Sequence, residues 1–180
     1  MHPLHDIIVV PEAVSDFVPA VIEIPRGSKL KYELDKRTGL LMLDRVLCSS
    51  VHYPANYGFI PQTHAGDGDP LDILVLMQEP VHPLTIVRAR PIGGFRMRDD
   101  KGVDDKIVGV AIDDPAYAHY GKATELPPHV LAEIRRFFQD YKILEGKMSE
   151  VDDLYDERRA LEVISESLGA YRTGAAWAKP

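Results

Sequence analysis

The chain is poor in cysteine: Cys48 is the only one in 180 residues. That excludes an internal disulfide and any thiolate-held zinc or iron–sulfur centre. No apolar run approaches the roughly 20 residues that a membrane-crossing helix needs. The opening Met1-His2-Pro3-Leu4-His5-Asp6 has no Lys or Arg and no long apolar stretch, so it does not read as a secretory signal. A reducing, cytoplasmic setting without a membrane is expected. Basic charge is scarce too: 21 Lys and Arg face 28 Asp and Glu, a formal net charge of -7. Nucleic-acid binders usually carry a basic surplus, so nucleic acid is not an expected partner. Several catalytic signatures are missing, among them G-x-x-x-x-G-K-[ST], H-E-x-x-H and G-x-S-x-G. Gly66-Asp67-Gly68 opens like a dinucleotide fingerprint, but Leu71 stands where the third glycine belongs, and an apolar strand follows instead of a helix.

What is present is ordinary for a globular protein: 45% hydrophobic and 27% charged residues. The length suits a single domain over 1–180 with a sizeable core. The first two thirds read as β. Val21–Ile24 is a short apolar strand ended by Pro25. Leu30-Lys31-Tyr32-Glu33-Leu34 alternates, with Lys31 and Glu33 on one face. Asp35–Gly39 reads as a turn into a second strand, Leu40–Leu47, which makes a hairpin. Ile73–Met77 is continuously apolar and fits a strand buried on both faces. Thr85–Arg90, Gly94–Arg98 and Asp105–Ile112 are further strands, with a turn at Asp99-Asp100-Lys101-Gly102. The last third reads as two helices, His129–Leu144 after Pro127-Pro128, and Asp153–Leu168 ended by Gly169. Short strands followed by helices give an α+β fold, with a closed or strongly bent sheet against which the helices pack.

The acids are unevenly placed. Between Asp67 and Asp114 there are ten carboxylates, nine of them Asp. A solvated helix face favours Glu, whereas Asp favours turns and metal ligation. The densest group is Asp67-Gly68-Asp69-Pro70-Leu71-Asp72, at the mouth of the apolar Ile73–Met77 strand. A plain surface turn accounts for its Asp, Gly and Pro. Three carboxylates in six residues repel one another unless a cation intervenes, however, and a core strand is a rigid mount. A calcium EF-hand loop fails, since Asp72 stands where its glycine is needed. A second group, Asp99-Asp100 with Asp104-Asp105, flanks the hairpin turn. Asp100 and Asp105 read as a solvated tip, while Lys106 shares a strand face with Asp104. Cationic and hydroxyl groups form a third set: Lys31, Arg45 on the neighbouring strand, and Tyr53 and Tyr57 in a loop. Tyr141 and Lys142 end the first helix, and Glu23 opposes an apolar face. Carboxylates gather hard cations, Mg²⁺ above all, while Lys, Arg and Tyr hold phosphoryl oxygens. Water on such a cation is acidified and becomes a good nucleophile.

Asp67-Gly68-Asp69-Pro70-Leu71-Asp72 resembles the D-x-D-P-x-D signature of family I soluble inorganic pyrophosphatases, of the bacterial type. Ile22-Glu23-Ile24-Pro25, Lys31-Tyr32-Glu33, Asp44-Arg45 and Tyr53-Pro54-Ala55-Asn56-Tyr57-Gly58 fall in family order. So do Arg88–Pro91, Asp99–Lys106 and Phe138–Lys142, and the resemblance covers about Val18 to Leu144. It implies a small closed OB-like β-barrel of antiparallel strands flanked by two C-terminal helices. It implies Mg²⁺-dependent hydrolysis of inorganic diphosphate to two phosphates, with several cations per site and Mn²⁺ as an alternative. It also implies a homo-oligomer, with a hexamer favoured, that drives diphosphate-releasing biosynthesis. By the same resemblance Asp67, Asp72 and Asp104 ligate the tightest metal. Asp72 bridges to a second, Asp99 with Asp104 holds a third, and Glu23 serves a substrate-borne metal. Asp69 takes a proton from the attacking water. Lys31, Arg45, Tyr57, Lys106, Tyr141 and Lys142 hold phosphate, and Glu33 and Tyr53 support them. In one departure, Gly146-Lys147 is followed by Met148 where the family often has an aromatic residue.

Two rival readings have their own tests. A hydrolase of nucleotide phosphoanhydrides would release phosphate faster from ATP. A small-barrel module for single-stranded nucleic acid would use a basic groove and stacking aromatics; the negative charge and the 8% aromatic content argue against it.

Overall fold

The computed structural model describes residues 1–99 and 102–174; of Asp99 it describes the backbone alone. In chain order come β1 (Val18–Ile24), β2 (Leu30–Leu34), β3 (Leu41–Val46), β4 (Asn56–Phe59), β5 (Asp72–Leu76), β6 (Ile86–Asp99) and β7 (Gly102–Ala111). Then follow α1 (Pro128–Asp140), β8 (Glu150–Tyr155) and α2 (Glu157–Arg172). The large sheet runs β1-β4-β5-β7-β6-β8, and β1 also pairs with β6. Hydrogen bonding therefore runs round a ring of five strands, with β8 added outside β6. The hairpin β2-β3 forms a separate two-stranded sheet.

The architecture is α+β with two helices, as the sequence implies, but not all of its strands are antiparallel. β5 and β7 are parallel, with Asp72 opposite Lys106 and Leu74 opposite Val108. Two chain reversals, into β6 and out of it, bring β7 back along the direction of β5 and between the two. The two predicted strands Thr85–Arg90 and Gly94–Arg98 are one 14-residue strand, β6, with a bulge between Pro91 and Gly93. The Tyr53–Gly58 loop is in part strand β4. Its Gly58 lies so close to β1 that a Cβ there would stand 1.9 Å from the Val21 carbonyl oxygen. The predicted turn at 99–102 falls partly on residues 100–101, outside the described residues.

β8 is the largest departure from expectation. Leu154 matches the helical spacing of Leu161, which extends the predicted helix back to Asp153. Asp156 instead caps α2, accepting the Arg159 N–H at 2.9 Å, and ends the helix there. Residues 150–155 add to the β6 edge, where Gly94 leaves room for Tyr155: a Cβ would meet its ring at 2.5 Å. At the other end α2 runs through Gly169 to Arg172, so Gly169 does not terminate it. α1 starts at Pro128, where the missing N–H costs nothing, and stops at Asp140; a 3₁₀ turn at Ile143–Glu145 follows.

β5 explains why its sequence has no polar face. Leu74 and Leu76 enter one core with Val108, Val110 and Ile134, Phe137 and Phe138 of α1. Ile73 and Val75 enter a second with Ile107 and Val163, Ile164 and Leu168 of α2. Each such side chain, fully buried, contributes roughly 1.5–3 kcal/mol relative to exposure.

Candidate functional site

The first residue of β5 is Asp72, and the parallel register sets Lys106 of β7 beside it. Asp104 precedes Lys106 by two residues and so shares its face. Lys106 is only 3% exposed. Its ammonium donates to the Tyr57 hydroxyl at 3.1 Å and to the carboxylates of Asp72 and Asp104. The rings of Tyr57 and Phe138 lie 5.7 and 5.9 Å away, within cation–π range. Tyr57 comes from β4, the neighbour of β5, so three adjacent strands of the ring build this wall.

The acidic loop forms the next wall. The Thr63 hydroxyl donates to the Ile60 carbonyl and receives the Leu71 N–H at 2.9 Å, which ties both ends of the loop. Ala65 N–H donates to the Asp69 carbonyl at 2.8 Å, and Asp69 N–H to Asp67 Oδ1 at 3.1 Å. Gly68 turns the chain at φ +88°, where a side chain is strained. From the hairpin, Lys31 pairs with Glu33 and, at 3.0 Å, with Asp44. Lys36 donates to the Gly68 carbonyl at 3.0 Å and to Asp69 Oδ1. Glu23, buried on β1, accepts the Leu34 N–H at 2.7 Å. Tyr141 and Lys142 approach from the end of α1. The resulting cleft is lined by six carboxylates (Glu23, Glu33, Asp67, Asp69, Asp72, Asp104), four lysines (Lys31, Lys36, Lys106, Lys142) and the tyrosines Tyr32, Tyr57 and Tyr141. Its volume of about 130 Å³ is well below the roughly 300–1,000 Å³ of sites for drug-sized ligands.

Burial and like charge act together on these acids. Desolvation, reinforced by Asp72, pushes Glu23 up to about 8, against the pull of the Leu34 N–H and Lys31. Desolvation likewise pushes Asp104 up to about 7; Lys106 opposes this and Asp72 adds to it. Asp67 is raised for the same first reason, and the Asp69 N–H works against it. Burial disfavours the Lys106 charge, yet Asp72, Tyr57 and Asp104 outweigh it and hold the ammonium well above the ordinary lysine range. Burial raises Tyr57 and Tyr53, so both hydroxyls keep their protons. The Tyr57 oxygen already accepts from Lys106, which leaves its own proton available to a ligand.

Eleven residues expected from the sequence thus meet in one cleft: Glu23, Lys31, Glu33, Tyr57, Asp67, Asp69, Asp72, Asp104, Lys106, Tyr141 and Lys142. Tyr53 packs behind them, its ring 4.7 Å from Phe137 and 5.3 Å from Tyr57. Arg45 is opposite Lys31 in the hairpin register, as expected, but does not line the cleft. Its guanidinium pairs with Asp44 and, at 2.7 Å, with Glu145. The expectation for Asp99 concerns a side chain outside the described residues, and Asp100 lies outside them altogether. Asp105 is no solvated tip: Arg96 grips it with two hydrogen bonds of 3.2 and 2.9 Å. Lys36 and Tyr32 are the polar lining residues not expected from the sequence as part of the site; Lys36 is the charged one. Its position in a hairpin turn gives no sign that it reaches a loop 33 residues away. Among the described residues no three His, Cys, Asp or Glu side chains stand grouped as a metal centre. The Lys106 ammonium sits between Asp72 and Asp104 instead.

The chain matches the family model "Inorganic pyrophosphatase" over residues 20–172. It is 54% identical over 171 residues to soluble inorganic pyrophosphatase 2 of Chlamydomonas reinhardtii, covering 95% of this chain and 88% of that one. It is 56% identical over 170 residues to soluble inorganic pyrophosphatase PPA1 of Solanum tuberosum, covering 94% and 80%. Its fold superposes on the crystal structure of inorganic pyrophosphatase from Thermus thermophilus with a TM-score of 0.89 at 41% identity, over 94% of this chain and 99% of that one. These relatives are algal, plant and bacterial, so the narrower bacterial-type expectation does not follow from them. No described helix is long and apolar enough to cross a membrane. Matched across most of its length by sequence and by fold, the chain belongs to the inorganic pyrophosphatase family.

Proposed function

We propose that this chain hydrolyses inorganic diphosphate to two phosphates with Mg²⁺. The observation that carries the reading is the cleft itself, in which six carboxylates and four lysines face one small volume. The donor set fits a hard cation. Its carboxylates are all oxygen donors, and Glu23 and Asp104 hold their protons to about 8 and about 7; the Lys106 ammonium, which bonds both Asp72 and Asp104, holds positive charge among them. Asp67, Asp72, Asp104 and Glu23 are the residues that would hold Mg²⁺, with Asp99 as a further ligand and Mn²⁺ as an alternative ion. When bound, Mg²⁺ neutralises phosphoryl oxygens and acidifies water.

The protein's part is positioning and charge. Asp69 on the cleft wall takes the proton of the attacking water at a carboxylate oxygen. Tyr57 and Tyr141 donate hydroxyl protons to phosphoryl oxygens, and Lys31, Lys106 and Lys142 offset their charge. Glu33 steadies Lys31. Arg45 shares Asp44 with Lys31 and is also paired with Glu145, so it joins the substrate by exchanging the Glu145 carboxylate for a phosphoryl oxygen. The small volume disfavours a nucleoside. Phosphate release should therefore be much faster from diphosphate than from ATP, and should stop with EDTA. Faster release from ATP would overturn the assignment.

Three narrower readings go with this one. The ring of five strands supports a small OB-like barrel. A homo-oligomer is proposed, with a hexamer as its state and sedimentation equilibrium as its check; Leu40, Met42 and Leu43, exposed around β3, supply apolar side chains on the two faces of the hairpin. A cytoplasmic enzyme that removes the diphosphate released by biosynthetic reactions is the role proposed for it.

A further inference from the structure

Lys36 lies outside every motif that carries the family resemblance, yet it touches the residue given the proton-accepting role. It sits in the turn between β2 and β3. Asp35 braces that turn, accepting the Arg37 N–H at 3.2 Å and, through its carbonyl, the Gly39 N–H at 2.8 Å. From there the Lys36 ammonium crosses to the acidic loop. It donates to the Gly68 carbonyl at 3.0 Å and to Asp69 Oδ1. The two acceptors belong to consecutive residues, so one cation fixes both the peptide before Asp69 and its carboxylate. The Asp69 backbone is held from within the loop by Ala65 and Asp67. Those bonds leave the side-chain torsions of Asp69 free to rotate, and Lys36 restrains them.

We propose that Lys36 is a positioning residue, which sets the orientation of the Asp69 carboxylate by tying the acidic loop to the hairpin turn. The proposal rests on the reading of Asp69 as proton acceptor. Lys36 and Asp69 are 41% and 45% exposed at their side chains, so their pairing adds little to global stability. Its consequence falls on geometry instead. A misplacement of ~1 Å in a reacting group costs up to ~10²-fold in rate.

The test compares wild type with Lys36→Met and Lys36→Arg in two measurements. In metal-free protein, amide hydrogen exchange across residues 65–70 should quicken several-fold in Lys36→Met, while α1 stays unchanged. In diphosphate hydrolysis with Mg²⁺, kcat should fall about ten-fold with KM within about two-fold, and Lys36→Arg should recover most of the loss. Unchanged exchange in the loop would overturn the tether. Faster exchange with an unchanged kcat, or a loss confined to KM, would overturn the positioning role. A wild-type chain inactive on diphosphate would overturn the function proposed above, and the positioning role with it, while the exchange data would still decide whether the tether exists.

Discussion

Replacing Lys106 by Met leaves the volume of the side chain nearly unchanged but takes the buried cation from between Asp72 and Asp104. Removing one partner of a buried ion pair typically costs about 3–5 kcal/mol, because the remaining charge loses its compensation. Here the cost depends on pH. Asp104 titrates at about 7 with Lys106 opposing the upward shift, so without Lys106 it titrates higher still. A carboxyl whose folded pKa exceeds its unfolded value stabilises the fold while protonated, and that stability is lost as pH rises through the folded pKa. In wild type the loss from Asp104 is complete just above pH 7. In Lys106→Met it continues, at about 1.4 kcal/mol per pH unit. Between pH 7 and pH 9 the variant therefore loses up to about 3 kcal/mol more than wild type. For a chain this long that is roughly 6–12 °C in Tm. Thermal or urea unfolding of both proteins in EDTA, at pH 6 and pH 9, measures the difference. An equal penalty at the two pH values would refute the account of the cluster as acids short of positive charge.

Asp69→Asn should lower kcat for diphosphate by roughly 10²–10⁴-fold, the span for a lost general base, while Mg²⁺ binding by calorimetry stays largely intact; an unchanged rate would remove Asp69 from that role. Glu23 titrates at about 8 in the fold against an ordinary 4.5, so metal-free wild type should lose stability as pH rises between those values. Glu23→Gln should flatten that slope in urea titrations, and a slope left as steep would contradict the assignment. Gly58→Ala would place a methyl 1.9 Å from the Val21 carbonyl oxygen. Separating β1 from β4 should cost at least the roughly 1–3 kcal/mol of an overpacked core, and a Tm equal to wild type would show that the strands can part.

Much of this was legible in the sequence because short-range physics carries it. The Leu30–Leu34 alternation, the Asp35–Gly39 turn and the apolar run of β5 each identify an element without knowledge of the rest. The parallel pairing of β5 with β7 is different, since the order in which strands neighbour one another leaves no local trace. β8 carries no strand signature of its own, since Leu154 satisfies a helical period by coincidence, and the Asp156 cap outweighs it. At the site, the acidic loop stands out by its carboxylates, and the roles of Tyr57, Lys106 and Tyr141 are what the family resemblance implies. Lys36 has neither sign, since a lysine in a turn looks like any solvated lysine until the fold brings Gly68 and Asp69 to it. Arg45 shows the converse: its register was correct, but a distant Glu145 claims its guanidinium.

The lateral pairing of Asp72 with Lys106 makes the polar cluster hostage to arithmetic in β7. Side chains alternate along that strand, so inserting or deleting one residue ahead of Lys106 would swing its ammonium into the apolar layer beneath α2 and bring Ile107 or Asp105 against Asp72. Changes in length within that stretch keep the facing of Lys106 only in pairs, and even a pair carries it two positions along from Asp72.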